Sequence, residues 1–272
     1  MIPIKVLVPS GVLGLGFDLE ALNNGVKNNP DIISIDGGST DSGPYSLGSG
    51  TSKYSRAAIK AEWKSLMIAR EKANVPLVIG SCGTCGTNGM VDWMENITIE
   101  LAEELNQNIK IAKLYCQQEK NFIKKKFQLS KIFPLNPAPM LNDQLIEEMT
   151  NIVALAGAEQ IQECINTGAE IILAGRTTDT AIISALPLMK GANPGSSWHG
   201  AKVVECGALC STNPTSGVVM VEFDKTGFTV EPMSKNAFCT SETVAAHMLY
   251  ENADPYILHE PGGYMDVTYS NY

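Results

Sequence analysis

Six short apolar runs dominated by Ile, Val and Leu punctuate the chain: Ile4–Val8, Ile32–Ile35, Pro76–Ile79, Ile109–Leu114, Ile152–Leu155 and Ile171–Leu173. They are bounded by Gly or Asp, and each is followed by a polar-patterned stretch long enough for a helix. A strand that is apolar throughout, rather than at alternate positions, is one covered on both faces, as the strands of a parallel sheet are. The repetition therefore predicts βα units, with helices over Arg56–Lys72, Asp92–Leu105, Glu119–Leu129, Ala158–Thr167, Thr178–Leu186 and Glu242–Asn252, and another starting near Asp18. The expected fold is α/β: a mostly parallel, Rossmann-like sheet flanked by helices, with a small β-containing C-terminal portion.

After Gly217 the texture changes. Val218–Phe223 and Phe228–Val230 flank Asp224-Lys225-Thr226-Gly227, the pattern of an antiparallel hairpin. We expect the α/β domain to span residues 1–215, with residues 216–272 packed on it as a hairpin and a helix. Pro134-Leu135-Asn136-Pro137-Ala138-Pro139 reads as a stiff connection inside one fold. No repeat of fixed period is visible; Gly37-Gly38-Ser39-Thr40-Asp41 and Gly175-Arg176-Thr177-Thr178-Asp179 are alike but short.

Composition removes several classes of function. With 44% hydrophobic and 18% charged residues the chain can bury a core and is not a disordered segment. A net charge of −9 repels phosphate backbones, so nucleic acid is not an expected partner. No run of 18 apolar residues occurs, so no membrane-spanning helix is expected, and the N-terminal run interrupted by Pro3 and Pro9 is too short for an export signal. Seven cysteines, an odd number over 272 residues, suit reduced thiols and a cytoplasmic location.

Ligands of open α/β sheets bind where loops leave the carboxyl ends of the strands, so those loops carry the functional reading. After the first strand, Pro9-Ser10-Gly11-Val12-Leu13-Gly14-Leu15-Gly16 resembles a phosphate-cradling loop without fitting either glycine fingerprint; it reads equally as a tight turn. After the second, Asp36-Gly37-Gly38-Ser39-Thr40-Asp41-Ser42-Gly43-Pro44-Tyr45 places carboxylates beside glycines that let backbone amides approach a ligand, or forms an Asx-turn stack. After the third, Gly80-Ser81-Cys82-Gly83-Thr84-Cys85-Gly86-Thr87-Asn88-Gly89 leads into a helix whose first amides suit an anion or an oxyanion.

After the sixth run, Arg176, one of three arginines, can clamp a carboxylate or phosphate or pair internally with Asp179, while Thr177 and Thr178 open the next helix. The C-x-x-C pair Cys82 and Cys85, with Cys206 and Cys210 at i and i+4 of an expected helix, allows a four-thiolate Zn or Fe–S site to be drawn; buried inert thiols are the alternative, and no cofactor is required by the sequence. His247 reads as a helix residue. His259-Glu260 offers a proton-transfer option, and His199 carries no motif. Lys120, Lys124, Lys125, Lys126 and Lys131 read as a solvated helix face.

The string from Ile35 to Gly50 resembles the acyclic terpene utilisation (AtuA-like) family, supported by Gly80–Trp93, Ala174–Asp179, Glu251-Asn252-Ala253-Asp254-Pro255-Tyr256 and Asp266-Val267-Thr268. The resemblance implies catabolism of branched acyl-CoA compounds. Relatives carry small residues and an acidic or histidine-containing stretch where this chain has Cys82, Cys85 and Thr87-Asn88-Gly89. Many of them also continue beyond the position of Tyr272, so a companion polypeptide is an expected possibility beside a homo-oligomer.

The residues thus point to a rim formed by loops 9–16, 36–50, 80–90 and 175–180. The leading expectation is a lyase or hydratase acting on a small carboxylate or its CoA thioester. Asp36, Asp41 and Asp179 are the proton-transfer candidates, and Arg176 is the carboxylate clamp. Amides of Gly83, Gly86 and Gly89 are candidates to stabilise an enolate-like oxygen, and Gly37, Gly38, Ser39, Thr40, Tyr45, Ser81, Asn88, Thr177 and Thr178 line the substrate. The rivals are a hydrolase using metal-bound or Asp-activated water on the same rim, and a non-catalytic subunit that needs a companion chain.

Overall fold

The computed structural model describes residues 3–38, 43–134, 138, 140–250, 252–260 and 263–272. In chain order the elements are β1 (Ile4–Val8), α1 (Leu19–Lys27), β2 (Ile32–Asp36), α2 (Tyr45–Ser49), α3 (Arg56–Ala73), β3 (Leu77–Gly80), α4 (Asn88–Leu105), β4 (Ile111–Leu114), α5 (Lys120–Gln128), α6 (Asp143–Glu148), α7 (Ala158–Asn166), β5 (Ile171–Ala174), α8 (Ala181–Met189) and α9 (Pro194–Val204). Two 3₁₀ turns, Gly207–Cys210 and Pro214–Ser216, lead to β6 (Val219–Phe223), β7 (Phe228–Pro232), α10 (Ser241–His247), β8 (Ile257–Glu260) and β9 (Gly263–Asp266).

Seven strands form one sheet in the order β4-β5-β3-β2-β1-β6-β7. The first five are mutually parallel, and β6 runs antiparallel to β1 with Ile4 opposite Phe223. The predicted hairpin is therefore β6–β7, and it extends the edge of the main sheet. A separate two-stranded sheet, β8–β9, follows near the C-terminus.

The unbroken apolar character of the strands is explained by two cores. Val6, Val8, Ile32, Val78, Ile172 and Ala174 point to the face covered by α7, α8 and α9. Leu7, Ile33, Ile35, Leu77, Ile79, Ile171 and Leu173 point to the face covered by α1, α3 and α4. Each of these side chains is at most 1% exposed, and full burial of an Ile or Leu stabilises by about 2 kcal/mol. On the second face, the indole of Trp63 donates to Thr98 Oγ1 at 2.9 Å, which satisfies a polar group that packing of α3 on α4 would otherwise strand.

Three sequence expectations are corrected. Ile152–Leu155 is not a strand: Val153 makes an isolated bridge to Gln117, and the next residue after the run, Ala156, bridges Thr177. Its groups are satisfied by residues that continue past the end of β4, with the Ala154 amide on the Cys116 carbonyl and the Gln118 amide on that of Ile152, so no ladder is needed. Cys206 and Cys210 do not share a helix; Gly207, at φ 64°, turns the chain into a 3₁₀ turn between them. The helix expected over Glu242–Asn252 ends at His247.

The helix α9 was not anticipated, although Asn193 caps it through the Ser196 amide and Pro194 occupies its first turn, a legible start signal. Neither α2, α6 nor the β8–β9 hairpin was anticipated either. Most of the Pro134–Pro139 connection lies outside the described residues. Among the described residues no helix is long and apolar enough to cross a membrane.

Candidate functional site

β3 and β5 are neighbours in the sheet, yet the helices that follow them, α4 and α8, lie on opposite faces. Such a switch in direction opens a crevice at the carboxyl ends of the strands, where ligands of this architecture bind. The loops around it are joined by backbone hydrogen bonds. The Gly37 amide donates to the Gly80 carbonyl at 2.8 Å, Thr84 to Gly37 at 3.0 Å, Ser81 to Gly175 at 2.8 Å, Cys82 to Ala174 at 3.0 Å, and Leu13 to Asp36 at 2.8 Å.

The loop after β3 is wound tightly. Ser81, Gly83, Thr84 and Gly86 have φ of 47°, 58°, 70° and 64°. Left-handed backbone at the β-branched Thr84 costs of order 1–3 kcal/mol and persists only where the surroundings impose it. Here they do, since the Thr84 hydroxyl accepts the Lys53 amide at 3.0 Å while its own amide is held by Gly37. Gly86 must be glycine for space as well as conformation, because a Cβ there would lie 2.3 Å from the Arg176 amide nitrogen.

Above this floor lies a cavity of about 660 Å³. Ser10, Gly11, Val12, Leu15 and Gly16 form one side, Asp36, Gly38 and Thr84 the floor, and Asp179 the rim above β5. Cys206, Leu209, Pro214, Thr215 and Gly217 form a wall whose Cys206 backbone packs on Gly11, and Tyr250, Lys53 and Tyr54 complete the lining. Leu15, Leu209 and Tyr250 are partly exposed, so the mouth is apolar. The ammonium of Lys53 lies 5.7 Å from the Tyr54 ring centre. Glu62, on α3, accepts the Gly14 amide at 2.7 Å and so fixes the first loop.

Asp36 is the chemically distinctive group. It is 3% exposed; its Oδ2 accepts the Gly38 amide at 2.8 Å, and its Oδ1 has no hydrogen-bond partner among the described residues. Burial, and then the charge of Asp179, push its carboxyl well above the ordinary 3.8; the Arg176 guanidinium, the Gly38 amide and the Ser81 hydroxyl oppose this without reversing it. A neutral carboxylic acid on a cavity floor can donate a hydrogen bond, which an ionised one cannot.

The predicted residues divide three ways. Asp36, Gly38 and Asp179 line the cavity. Gly37, Ser81, Gly83, Gly86, Arg176, Thr177 and Thr178 are absent from its lining and form or adjoin the layer beneath. Arg176 Nη1 donates to the Gly38 carbonyl at 2.9 Å and the Ser81 hydroxyl at 3.2 Å, so this nitrogen holds the Asp36 loop rather than reaching for a ligand. The Gly86 amide already donates to the Cys82 carbonyl at 3.1 Å, which removes it as an oxyanion donor. Thr177 is fully buried, its hydroxyl against Gly80, and the Thr178 hydroxyl accepts the Ala181 amide at the start of α8.

Tyr45 stands 78% exposed on α2, away from the lining. Asn88 faces a different cleft of about 470 Å³ and is tied to Gln117 in both directions, at 3.1 and 3.2 Å. Ser39, Thr40 and Asp41 lie outside the described residues. His259 sits on β8 and lines no part of the cavity.

The sequence reading missed Lys53, Tyr54, Leu209, Pro214, Thr215 and Tyr250. Lys53 and Tyr54 follow directly on the 36–50 loop and were within reach of that reading, whereas the wall residues belong to irregular backbone with no periodic signal. Among the described residues no three His, Cys, Asp or Glu side chains gather so as to hold a metal ion. Cys82 and Cys85 are buried, and the Cys210 thiol meets that of Cys239, so the four-thiolate arrangement drawn from the sequence does not form.

Comparison with curated proteins and with solved structures found no match. The family model for acyclic terpene utilisation family protein AtuA matches residues 47–269, most of the chain, including the wall, the rim and the loop after β3. The chain belongs to the acyclic terpene utilisation (AtuA) family.

Proposed function

We propose that the chain is an enzyme of lyase or hydratase type that moves a proton next to the carbonyl of an acyl group, presented as a small carboxylate or its CoA thioester. The family name points to the breakdown of branched, apolar carbon chains. One observation carries the chemical reading: a buried carboxyl whose pKa is raised well above 3.8 and whose Oδ1 has no hydrogen-bond partner among the described residues, lining a largely apolar cavity together with a second carboxyl, Asp179.

In this reading Asp36 donates its proton as a hydrogen bond to the acyl carbonyl oxygen, and Asp179 acts as the base. The Asp179 carboxylate removes the proton α to the carbonyl, and the electron pair moves onto the oxygen held by Asp36. When the pair returns, the β-hydroxyl leaves and takes the proton from Asp179, so the products are water and the unsaturated acyl group. Hydration is the same sequence reversed. The donor on the oxygen and the positioned base each contribute roughly 10²- to 10⁴-fold in known cases.

Val12, Leu15 and Leu209 supply an apolar surface for the carbon chain, and Lys53 offers its ammonium to an anionic group at the mouth. Arg176 positions the Asp36–Gly38 loop.

The test is exchange of the α-hydrogens of saturated and β-hydroxy acyl-CoA compounds in deuterated water, with Asp36→Asn and Asp179→Asn as variants. Exchange that is lost on Asp179→Asn and weakened on Asp36→Asn is the expected result. Binding of these compounds with exchange unaffected by either variant would overturn the proton-transfer reading. Hydrolysis to the free acid in its place would favour an activated water on the same rim.

A further inference from the structure

The wall of the cavity is built on a segment with an unusual neighbour. The Cys210 thiol, fully buried at the end of the 3₁₀ turn Gly207–Cys210, lies 3.9 Å from the thiol of Cys239. The two backbones run side by side here, with the Thr212 amide on the Phe238 carbonyl at 2.9 Å and the Phe238 amide on the Thr212 hydroxyl at 3.0 Å. Cys239 is only partly buried and opens onto two surface clefts, one along β7 and α10, the other along β7 and α1. One thiol of the pair is thus reachable from solvent, and the other is reachable only through the first.

We propose that Cys210 and Cys239 form a reversible disulfide that fastens the cavity wall, residues 206–217, to the segment preceding α10. The oxidant is a low-molecular-weight disulfide. The Cys239 thiolate attacks one of its sulfurs, and the S–S bond breaks to release one small thiolate. Cys210 then gives up its proton and attacks the Cys239 sulfur of the mixed disulfide, which releases the second small thiolate. The protein loses two electrons and two protons, and one small disulfide becomes two thiols.

The order of attack follows from the structure. Cys239 is the thiol reachable from solvent, and the hydrogen bond it shares with Cys210 lowers its pKa, whereas that hydrogen bond and burial push Cys210 up. Closing from 3.9 Å to a bond of about 2.0 Å needs a shift within reach of side-chain rotation, because the paired backbones already hold the segments together. The Cys210–Cys239 approach at 3.9 Å is what selects this pairing.

The bond would act on the cavity directly. Leu209, in the same turn as Cys210, and Cys206, just before that turn, line it, and Pro214 and Thr215 follow in the next. Any effect on ligand binding rests on the functional reading above, but the pairing itself is read without a ligand.

The whole chain is equilibrated over a range of ratios of reduced to oxidised glutathione, quenched in acid, alkylated and mapped by peptide mass. The expected product joins the Cys210 and Cys239 peptides and is reversed by dithiothreitol. In C210S the reaction stops with glutathione on Cys239, and C239S takes up none at Cys210. Amide hydrogen exchange across residues 206–217 slows about 5-fold or more in the oxidised chain. The proposal is overturned if the wild-type chain accumulates glutathione on Cys239 with Cys210 free, if Cys239 does not react, or if exchange over residues 206–217 is unchanged once the bond has formed.

Discussion

The floor and the wall of the cavity are built on opposite plans. The floor is strand ends and left-handed turns joined by backbone hydrogen bonds, with Asp36, Ser81, Thr84 and Thr177 each no more than 3% exposed. The wall, residues 206–217, is two 3₁₀ turns whose Leu209 is 46% exposed, held by a few backbone hydrogen bonds such as Ala208 to Gly217 and Thr212 to Phe238 and by one thiol pair, with no strand end in it. Conformational strain and a buried carboxyl with a raised pKa are tolerated where the surroundings over-determine the backbone. On the proposed function, the surface that admits and releases the carbon chain is the more exposed one. The comparison therefore predicts that changes in the floor act on chemistry and stability together, and changes in the wall act on affinity alone.

The largest expected effect belongs to Asp36→Asn. Proton transfer falls by about 10²- to 10⁴-fold in the exchange assay. Stability moves the other way. A carboxyl raised in the native state keeps a proton that the unfolded chain loses above 3.8, so its contribution falls as pH rises from there. On this linkage, replacing it raises the unfolding temperature at pH 7, and by less near pH 4. A variant that loses both activity and stability would show that Asp36 only holds the loop.

Next comes a pair of glycines. Gly86→Ala combines a left-handed backbone with a Cβ 2.3 Å from Arg176, and destabilises by about 3–4 kcal/mol. Gly16, on the cavity side, also has positive φ, 95°, but a Cβ there meets nothing within 4 Å. Gly16→Ala is expected to cost about 1–2 kcal/mol in denaturant unfolding. Equal losses would remove the distinction between a packed floor and an open side.

The pH dependence of stability sharpens the contrast by its sign. Burial lowers the pKa of His199, on α9, and of His247, on α10, from 6.5 to about 4; the charge of Lys202 adds to the effect at His247. Between these values the unfolded chain binds protons that the native chain does not. Stability is therefore lost as pH falls from about 6.5 toward 4, opposite to the Asp36 contribution. His199→Gln flattens part of that slope in thermal unfolding and leaves the pH profile of Asp36 unchanged. The smallest effect is Leu209→Ala, which weakens acyl binding about 2- to 10-fold by removing partly exposed apolar surface, with turnover unaltered.

Much of the floor was legible in the sequence because its physics is local and periodic. Continuous apolar runs announced parallel strands, and glycine-rich loops at their ends announced where a ligand can approach. Asp36 and Asp179 were marked for that reason. Arg176 was read as a clamp because its bonds to the Gly38 carbonyl and the Ser81 hydroxyl span 138 and 95 residues, and no sequence pattern shows such contacts. The wall was largely illegible: Leu209, Pro214 and Tyr250 gain their place from tertiary packing of irregular backbone. Ile152–Leu155 was misread because a short apolar run has the same composition whether it forms a ladder or a single isolated bridge.

The account depends most on the protonation of Asp36, and carboxyl-carbon NMR of the chain labelled at aspartate measures it directly, with Asp36→Asn assigning the signal. The account predicts one aspartate carboxyl that remains protonated well above 3.8, is missing in the variant, and shifts when a ligand fills the cavity. If the Asp36 signal titrates near 3.8 with the exposed aspartates, the floor holds an ordinary carboxylate and the acid role assigned to it is wrong.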